Sequence, residues 1–285
     1  MRLGIQIPDF TYPGGPATLG KDLAAIARTA DDGGFDAIAV MDHFFQIGPV
    51  GPPERDMLEA YTTLGFLAGH TSRAKLLTLV TGVIYREPGL LGKILSTLDV
   101  LSEGRAVLGI GAAWNEEESK ALGFRFPPVA ERFERLEECL QICRQMFDGT
   151  DAPYRGKHYS LDRTLNVPKP LSPLPVLIGG SGEKKTLRLV AQYAQMCNLF
   201  PGPDLARKLE VLRGHCEDVG RPYDEIDKTV YYAYDTGKPS SQLVDELGAL
   251  AAMGFSMAIG GVQDVHALKP LEKIAAEVLP QVASL

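Results

Sequence analysis

The chain alternates short apolar runs with longer amphipathic stretches from end to end, and this alternation restricts its fold more than any other feature. The runs are nearly unbroken in apolar residues, as in strands that helices cover on both faces. Repeated units of this kind build a parallel sheet with helices outside it. Eight strands are predicted, at 3–7, 36–41, 76–82, 106–110, 175–178, 196–200, 228–234 and 257–259.

The stretches between these runs carry the periodicity of helices. In 18–32 apolar residues recur at helical spacing, and Gly33 and Gly34 are a stop signal. Pro127 and Pro128 precede a long helix at 129–147. The other predicted helices cover 57–69, 89–101, 183–194, 204–219, 240–253 and 267–280.

Residues 148–174 interrupt the pattern, since they are polar, contain four prolines and include a short alternating KHYSL segment. They predict an insertion, with a hairpin, before the fifth strand. Eight units and a final helix favour an α/β fold of the (β/α)8 TIM barrel type over an open doubly wound sheet, because closure leaves no exposed edge. We expect one domain over 1–285 with this insertion.

Composition and charge exclude several functions. A net charge of −7 without a Lys/Arg cluster argues against a nucleic-acid partner. The first apolar run ends at Pro8, too early for a signal peptide or membrane span, so we expect a cytoplasmic protein without a membrane partner. The four cysteines and five histidines form no metal-binding spacing, so we expect reduced thiols and no metal.

Polar residues that directly follow a barrel strand are the first candidates for a site, because the carboxyl ends of the strands form it. Asp42 and His43 follow the second strand and precede Phe44 and Phe45. Histidine changes charge near neutral pH and can therefore move a proton. The structural alternative is that Asp42 caps a turn and His43 bonds to backbone.

The third and fourth strands also end in candidate residues. Thr78 and Thr81 place two hydroxyl groups near the end of the third strand, although threonine is common in strands for packing reasons. Small residues at 111–113 leave room for a planar ring system that Trp114 would wall. The alternative at this position is a tight turn followed by an acidic helix start.

The fifth strand runs into a glycine-rich turn, Gly179-Gly180-Ser181-Gly182, and then into a helix. Free backbone N–H groups at such a helix start bind phosphate. Lys184 and Lys185 add positive charge there. The first strand lacks a GxGxxG turn, which argues against a Rossmann dinucleotide site.

These residues resemble the luciferase-like monooxygenase superfamily, particularly its branch of oxidoreductases that use the deazaflavin coenzyme F420. The most specific segment is YREPGLLGKILSTLDVLSEGRAVLGIGAAWNEEE at 85–118. The resemblance covers nearly the whole chain. It implies a luciferase-like barrel enzyme that binds coenzyme F420 and a small-molecule substrate, and that forms a homodimer.

The resemblance also implies roles for particular residues. His43 and Asp42 would be catalytic, and Thr78 and Leu79 would mark a non-proline cis peptide behind the ring. The residues implied to bind the cofactor are Asp42, Thr78, Leu79, Val80, Thr81, Gly111, Ala112, Ala113, Trp114, Glu116, Gly179, Gly180 and Ser181. Those implied to line the substrate pocket are Phe10, Phe44, Phe45 and Trp114.

One departure from the pattern bears on the substrate. Members that oxidise a sugar phosphate carry a glutamate near the position of Trp114, so we expect an uncharged organic substrate here. Two other functions stay open at this point. One is an FMN-dependent flavin monooxygenase that uses molecular oxygen, and the other is a non-catalytic cofactor-binding or storage protein.

Overall fold

A computed structural model describes all residues, 1–285, and shows a parallel barrel. Its strands are β1 (Arg2–Ile7), β2 (Ala37–Val40), β3 (Lys75–Thr78), β4 (Thr81–Gly82), β5 (Ala106–Gly111), β8 (Val176–Gly179), β9 (Met196–Leu199), β10 (Asp227–Tyr231) and β11 (Met257–Gly261), and the short β6 (Tyr154–Arg155) and β7 (Ser160–Leu161) lie outside the barrel. Neighbours follow the order β3-β2-β1-β11-β10-β9-β8-β5, and β3 also pairs with β5. This last pairing closes the sheet, so the predicted TIM barrel is confirmed.

Apart from a short helix at Glu116–Ala121, the helices lie at the predicted places, within a few residues, and outside the barrel. They are α1 (Pro16–Asp32), α2 (Ala60–Ala68), α3 (Pro88–Leu101), α4 (Glu116–Ala121), α5 (Val129–Asp148), α6 (Thr186–Tyr193), α7 (Leu205–Val219), α8 (Ser240–Ala252), α9 (Lys269–Lys273) and α10 (Leu279–Val282). Proline in the first turn starts α1 and α3. Gly149 and Gly220 end α5 and α7 in the left-handed conformation, with φ of 78° and 67°. None of the helices is long and apolar enough to span a membrane.

The third barrel strand is not the continuous run that the sequence predicts. It is split into β3 and β4, and the peptide bond between them, Leu79–Val80, is cis. The resemblance placed this bond at Thr78 and Leu79, so its position was wrong by one residue. Beyond the break Thr81 and Gly82 pair with β5 again, so the barrel stays closed around it.

The core has two layers. The main one, of 58 buried residues, lies largely between the sheet and the surrounding helices. A smaller cluster fills the barrel interior with side chains that include Leu77, Val107 and Ile259. The filled interior supports the strand ends, where the candidate site residues lie.

The insertion forms the predicted hairpin, because β6 and β7 pair in antiparallel fashion. It packs on α5 through Glu138, which accepts hydrogen bonds from the backbone N–H groups of Lys157 and Tyr159. The short helix α4, by contrast, was not predicted as an element of its own. It matters for function because it carries Glu118.

Candidate active site

His43 follows β2 at the carboxyl end of the barrel, and its ring is held by a carboxylate from α4. The Nδ1 atom lies 2.8 Å from Oε2 of Glu118. The His43 side chain is 12% exposed and that of Glu118 is 1% exposed. The other ring nitrogen, Nε2, has no hydrogen-bond partner within the chain. It is therefore the nitrogen that is left for a substrate.

Glu118 also fixes the backbone next to His43. Its Oε1 accepts hydrogen bonds from the N–H groups of Phe44 and Phe45, the latter at 2.8 Å, and its Oε2 accepts one from the Tyr85 hydroxyl at 2.9 Å. Burial raises the pKa of Glu118, but the hydrogen bonds from His43 and the two N–H groups outweigh it and lower the pKa below its ordinary value. The carboxylate is therefore charged at neutral pH.

The local sequence explains how Glu118 reaches this place. Asn115 caps α4, since its side chain accepts a hydrogen bond from the Glu118 backbone N–H. Three glutamates, Glu116 to Glu118, form the first turn of the helix, where negative charge is favourable. Glu118 alone of the three is buried. The cap thus orients one carboxylate of the acidic trio inward.

Asp42 forms an ion pair with Arg86. Both of its carboxylate oxygens accept hydrogen bonds from Arg86, at 2.7 and 3.0 Å. Burial raises the pKa of Asp42, while the permanently charged guanidinium favours its ionised form. Because both oxygens are occupied and the side chain is buried, Asp42 forms a structural ion pair. Its carboxylate makes no hydrogen bond to His43 and has no free oxygen to offer a cofactor.

Arg86 links this ion pair to a buried hydroxyl network. Its Nη2 also lies 2.5 Å from Oε1 of Glu59, and the guanidinium lies 4.6 Å from the centre of the Tyr61 ring. The Tyr61 hydroxyl contacts Thr81 at 2.7 Å, and Thr81 contacts Thr78 at 2.8 Å. The hydroxyl groups of Thr78 and Thr81 therefore form hydrogen bonds within the buried interior and are not available to a ligand.

The wall between β3 and β5 consists of Leu79 and Val80, both partly buried. Gln6 donates a hydrogen bond to the Leu79 carbonyl oxygen at 3.1 Å. A Cβ at Gly111 would lie 3.0 Å from the Val80 side chain, and one at Gly179 only 2.8 Å from it. The two glycines therefore let the neighbouring strands approach Val80.

The aromatic residues divide into two groups. Trp114 is 61% exposed and packs edge-on against His43, with ring centres 5.4 Å apart. Phe44 packs on Phe124 and, like the half-buried Phe45, lies beside His43 in the chain. Phe10, however, is 1% exposed and belongs to the main core, so its predicted place in the substrate pocket was wrong.

Three further predicted residues lie near the carboxyl end of β5. Ala112 and Ala113 are partly buried and connect β5 to Trp114, and Ala113 has a positive φ of 60°. Glu116 is exposed and pairs with Lys120 of the same helix at 2.7 Å. It is therefore occupied by a helical ion pair rather than oriented toward His43.

The glycine-rich turn after β8 has the features of an anion cradle. Gly180 has a φ of 117°, which side-chain-bearing residues rarely adopt. The N–H groups of Ser181, Gly182 and Glu183 donate to no acceptor within the chain. Since α6 begins at Thr186 rather than near Glu183 as predicted, these free groups belong to the turn before the helix. They remain suitable for phosphate.

A cavity of about 1150 Å³ lies at the opposite end of the barrel. It is lined by residues that precede or begin the strands, including Asp36, Lys75 and Asp227. It contains none of the predicted site residues. His43, Glu118 and the free backbone donors after β8 lie instead at the carboxyl end, which is where barrels of this type place their chemistry.

Comparison with known proteins assigns the chain to a family. The family described as luciferase-like monooxygenase matches residues 1–278. The chain therefore belongs to this family, as the sequence predicted.

Several curated relatives are similar to particular parts of the chain. The F420-dependent glucose-6-phosphate dehydrogenase of Kineococcus radiotolerans is 30% identical, over 73% of this chain and 62% of the relative. The protein of the same name from Nakamurella multipartita is 29% identical, over 73% of this chain and 61% of its own length. The match thus spans less than two thirds of the length of these relatives. An uncharacterized Mycobacterium tuberculosis protein is 29% identical over 90% of this chain and 93% of its own.

Solved structures share the fold. An F420-dependent secondary alcohol dehydrogenase in complex with an F420-acetone adduct superposes with a TM-score of 0.83 at 17% identity, over 99% of both chains. EDTA monooxygenase from Chelativorans gives 0.84 at 13% identity, over 100% of this chain and 94% of that one. At these identities the likeness establishes the barrel and leaves the reaction to the site.

Sequence reasoning missed the two residues that organise the site. Arg86 lies in segment 85–118, which carries the family resemblance, but the sequence of this segment does not indicate that Arg86 binds Asp42. Glu118 was noted only as one of three glutamates. Its sole sequence signal is Asn115 three positions earlier, a helix cap that predicts which carboxylates begin α4.

Proposed function

We propose that this protein is an oxidoreductase that transfers a hydride between coenzyme F420 and an uncharged small organic substrate. The observation that carries the proposal is His43, whose ring is fixed by Glu118 and whose Nε2 is free at the carboxyl end of the barrel. The names of the curated relatives support the choice of cofactor.

The residues present fit a phosphate-bearing cofactor with a flat ring. The free N–H groups after β8 would hold the phosphate, with Gly180 providing the turn. Val80 and the glycines around it would form the surface beneath the ring. The backbone of Ala112 and Ala113 and the ring of Trp114 would border the ring from the next strand.

The bound coenzyme supplies hydride transfer. The chain's own contribution is to move the accompanying proton at Nε2 of His43. Glu118 stabilises the imidazolium when His43 carries this proton, because a charged carboxylate lies 2.8 Å from Nδ1. Trp114 packs edge-on against His43 and provides apolar surface beside the ring.

The uncharged substrate is inferred from the charges near His43. Arg86 is bound by two carboxylates and has no free charge to offer an anionic substrate. The partly buried Phe44 and Phe45 and the exposed Trp114 are apolar. A sugar phosphate would need a cationic partner that these side chains do not provide.

A second cofactor is compatible with one feature of the site. The N–H groups after β8 would donate hydrogen bonds to the phosphate of FMN as readily as to that of coenzyme F420, and a structure of similar fold is a Baeyer-Villiger monooxygenase in complex with FMN. In that case the protein would be a monooxygenase. The phosphate contacts alone therefore do not distinguish the two cofactors, and the affinity for each whole cofactor and the turnover with it do.

Turnover assays test the proposal. In the first assay, reduced coenzyme F420 is mixed anaerobically with a panel of ketones and enones. In the second, the oxidised coenzyme is mixed with alcohols and with glucose 6-phosphate. In the third, reduced FMN is mixed with the protein in the presence of oxygen. We expect coenzyme oxidation or reduction with uncharged compounds alone. Oxygen uptake with FMN, or turnover of glucose 6-phosphate, would overturn the corresponding part of the proposal.

A further inference from the structure

We propose that Glu118 is a positioning residue: whenever the His43 ring is neutral, Glu118 holds it in the tautomer with the proton on Nδ1, so that Nε2 presents a lone pair to the substrate. This inference rests on the proposed function for its catalytic meaning. The arrangement itself is a property of the protein without cofactor.

The hydrogen bonds at Glu118 determine which group donates. Oε1 accepts hydrogen bonds from the backbone N–H groups of Phe44 and Phe45, and a backbone N–H group can only be a donor. Oε2 receives the remaining two contacts, from His43 Nδ1 and from the Tyr85 hydroxyl. A charged carboxylate has four lone-pair sites and no proton, so all four neighbours must be donors.

A neutral imidazole carries a single N–H, and one ring nitrogen is then an acceptor. Since Nδ1 donates to Glu118, Nε2 is the acceptor. Nε2 also lacks a partner within the chain that would reverse this assignment. His43 is thus set to accept a proton from a substrate hydroxyl, and in the reverse direction the imidazolium donates it back.

Other charged or polar neighbours cannot take over this role. Asp42 precedes His43 in the chain, but both of its oxygens bind Arg86. Tyr85 contacts the same Oε2 atom and not the ring of His43. Trp114 meets the ring edge-on and carries no acceptor. Glu118 is therefore the group that sets the tautomer.

The substitution Glu118→Gln should reverse the tautomer of His43 while a side chain of nearly the same size still occupies the position of Glu118. In Glu118→Gln the side-chain oxygen still accepts from the Phe44 and Phe45 N–H groups, so the NH₂ group faces His43. An NH₂ group donates, and the neutral ring must then accept at Nδ1 and carry its proton on Nε2. Glu117→Gln is the matched control, because its side chain is exposed one position earlier on the same helix.

The measurement is ¹⁵N NMR of the histidine rings in the full-length protein without cofactor, with His43 assigned by its absence in His43→Gln. We expect the Nδ1–H tautomer in the wild type and in Glu117→Gln, and the Nε2–H tautomer in Glu118→Gln. An Nε2–H tautomer in the wild type would overturn the proposal, and this test holds even if Glu118→Gln does not fold. An unchanged tautomer in folded Glu118→Gln would also overturn it.

Kinetics then connects the tautomer to function. With a turned-over substrate, Glu118→Gln should lower kcat by about 10²-fold or more, the usual contribution of a positioned acid–base group, with the affinity for coenzyme F420 preserved. Equal kcat in Glu118→Gln and the wild type would overturn the catalytic part. If coenzyme F420 does not bind at all, the proposed function is wrong. The NMR experiment still tests the tautomer of His43, because it uses the protein without cofactor.

Discussion

Asp42 and Arg86 face each other through two hydrogen bonds of 2.7 and 3.0 Å, with only 1% and 8% of their side chains exposed. The pair joins the end of β2 to the segment before α3. Asp42 directly precedes His43 in the chain, so the ion pair also fixes the backbone at the residue before His43.

Replacing Arg86 by methionine should destabilise the fold, because Asp42 is then buried without a cationic partner. Loss of one member of a buried pair typically costs about 3–5 kcal/mol. Urea titration of Arg86→Met and the wild type gives the difference in their free energies of unfolding. Asp42→Asn combined with Arg86→Met should recover part of the loss. The exposed pair Glu116–Lys120 is the control, and Lys120→Met should have little effect. Similar losses for Arg86 and Lys120 would contradict the structural role.

A side chain at Gly109 should disrupt the barrel. A Cβ there would lie 1.9 Å from the backbone oxygen of Thr78, which cannot rotate away. Overpacking typically costs about 1–3 kcal/mol, and a backbone contact this close places Gly109→Ala at or above the upper end. Gly65→Ala is the control, since nothing lies within 4 Å of its Cβ and it sits within α2. That variant should gain about 0.4–1 kcal/mol. Thermal unfolding of the two variants decides, and equal Tm values would refute the prediction.

The acid dependence of stability has a contribution from Asp31 at the end of α1. Its carboxylate accepts hydrogen bonds from the N–H groups of Ser72, Arg73 and Ala74, at 2.8, 3.0 and 2.7 Å. Burial raises the pKa of Asp31, but these bonds outweigh it and lower the pKa below the ordinary 3.8. A lowered pKa means that this stability is complete above pH 3.8 and is lost as the pH falls through the folded-state value.

We therefore expect Asp31→Asn to reduce the free energy of unfolding at pH 7 by about 1.5–3 kcal/mol, the range for hydrogen bonds to a charged group. The difference from the wild type should shrink as the pH falls well below 4. Denaturant titrations at several pH values measure it. Asp32→Asn, an exposed neighbour, should match the wild type throughout. A difference that does not depend on pH would show that Asp31 acts through packing alone.

The barrel could be predicted from sequence because each strand is a local property. An unbroken apolar run such as 106–110 identifies a buried strand without knowledge of its neighbours. The split between β3 and β4 could not be predicted in this way, since Leu79 and Val80 are as apolar as the residues before them. The resemblance supplied the break, though one residue away from the cis bond.

The candidate site was predicted in part. His43 and the glycine-rich turn at 179–182 lie directly after strands, and barrel geometry places such residues at one end. The partner of His43 is 75 positions away in the sequence, and Arg86 lies 44 positions from Asp42. Adjacency in the sequence suggested an Asp42–His43 unit, whereas the fold pairs each residue with a distant one. Partners of this kind follow from tertiary packing alone.

The proposed function depends on which cofactor the protein binds, and parallel fluorescence titrations of the purified protein with coenzyme F420 and with FMN measure this. We expect micromolar or tighter binding of coenzyme F420 and much weaker binding of FMN, with affinity preserved in His43→Ala, where turnover alone is lost. A preference for FMN, or an equal loss of affinity and turnover in His43→Ala, would contradict the proposed function.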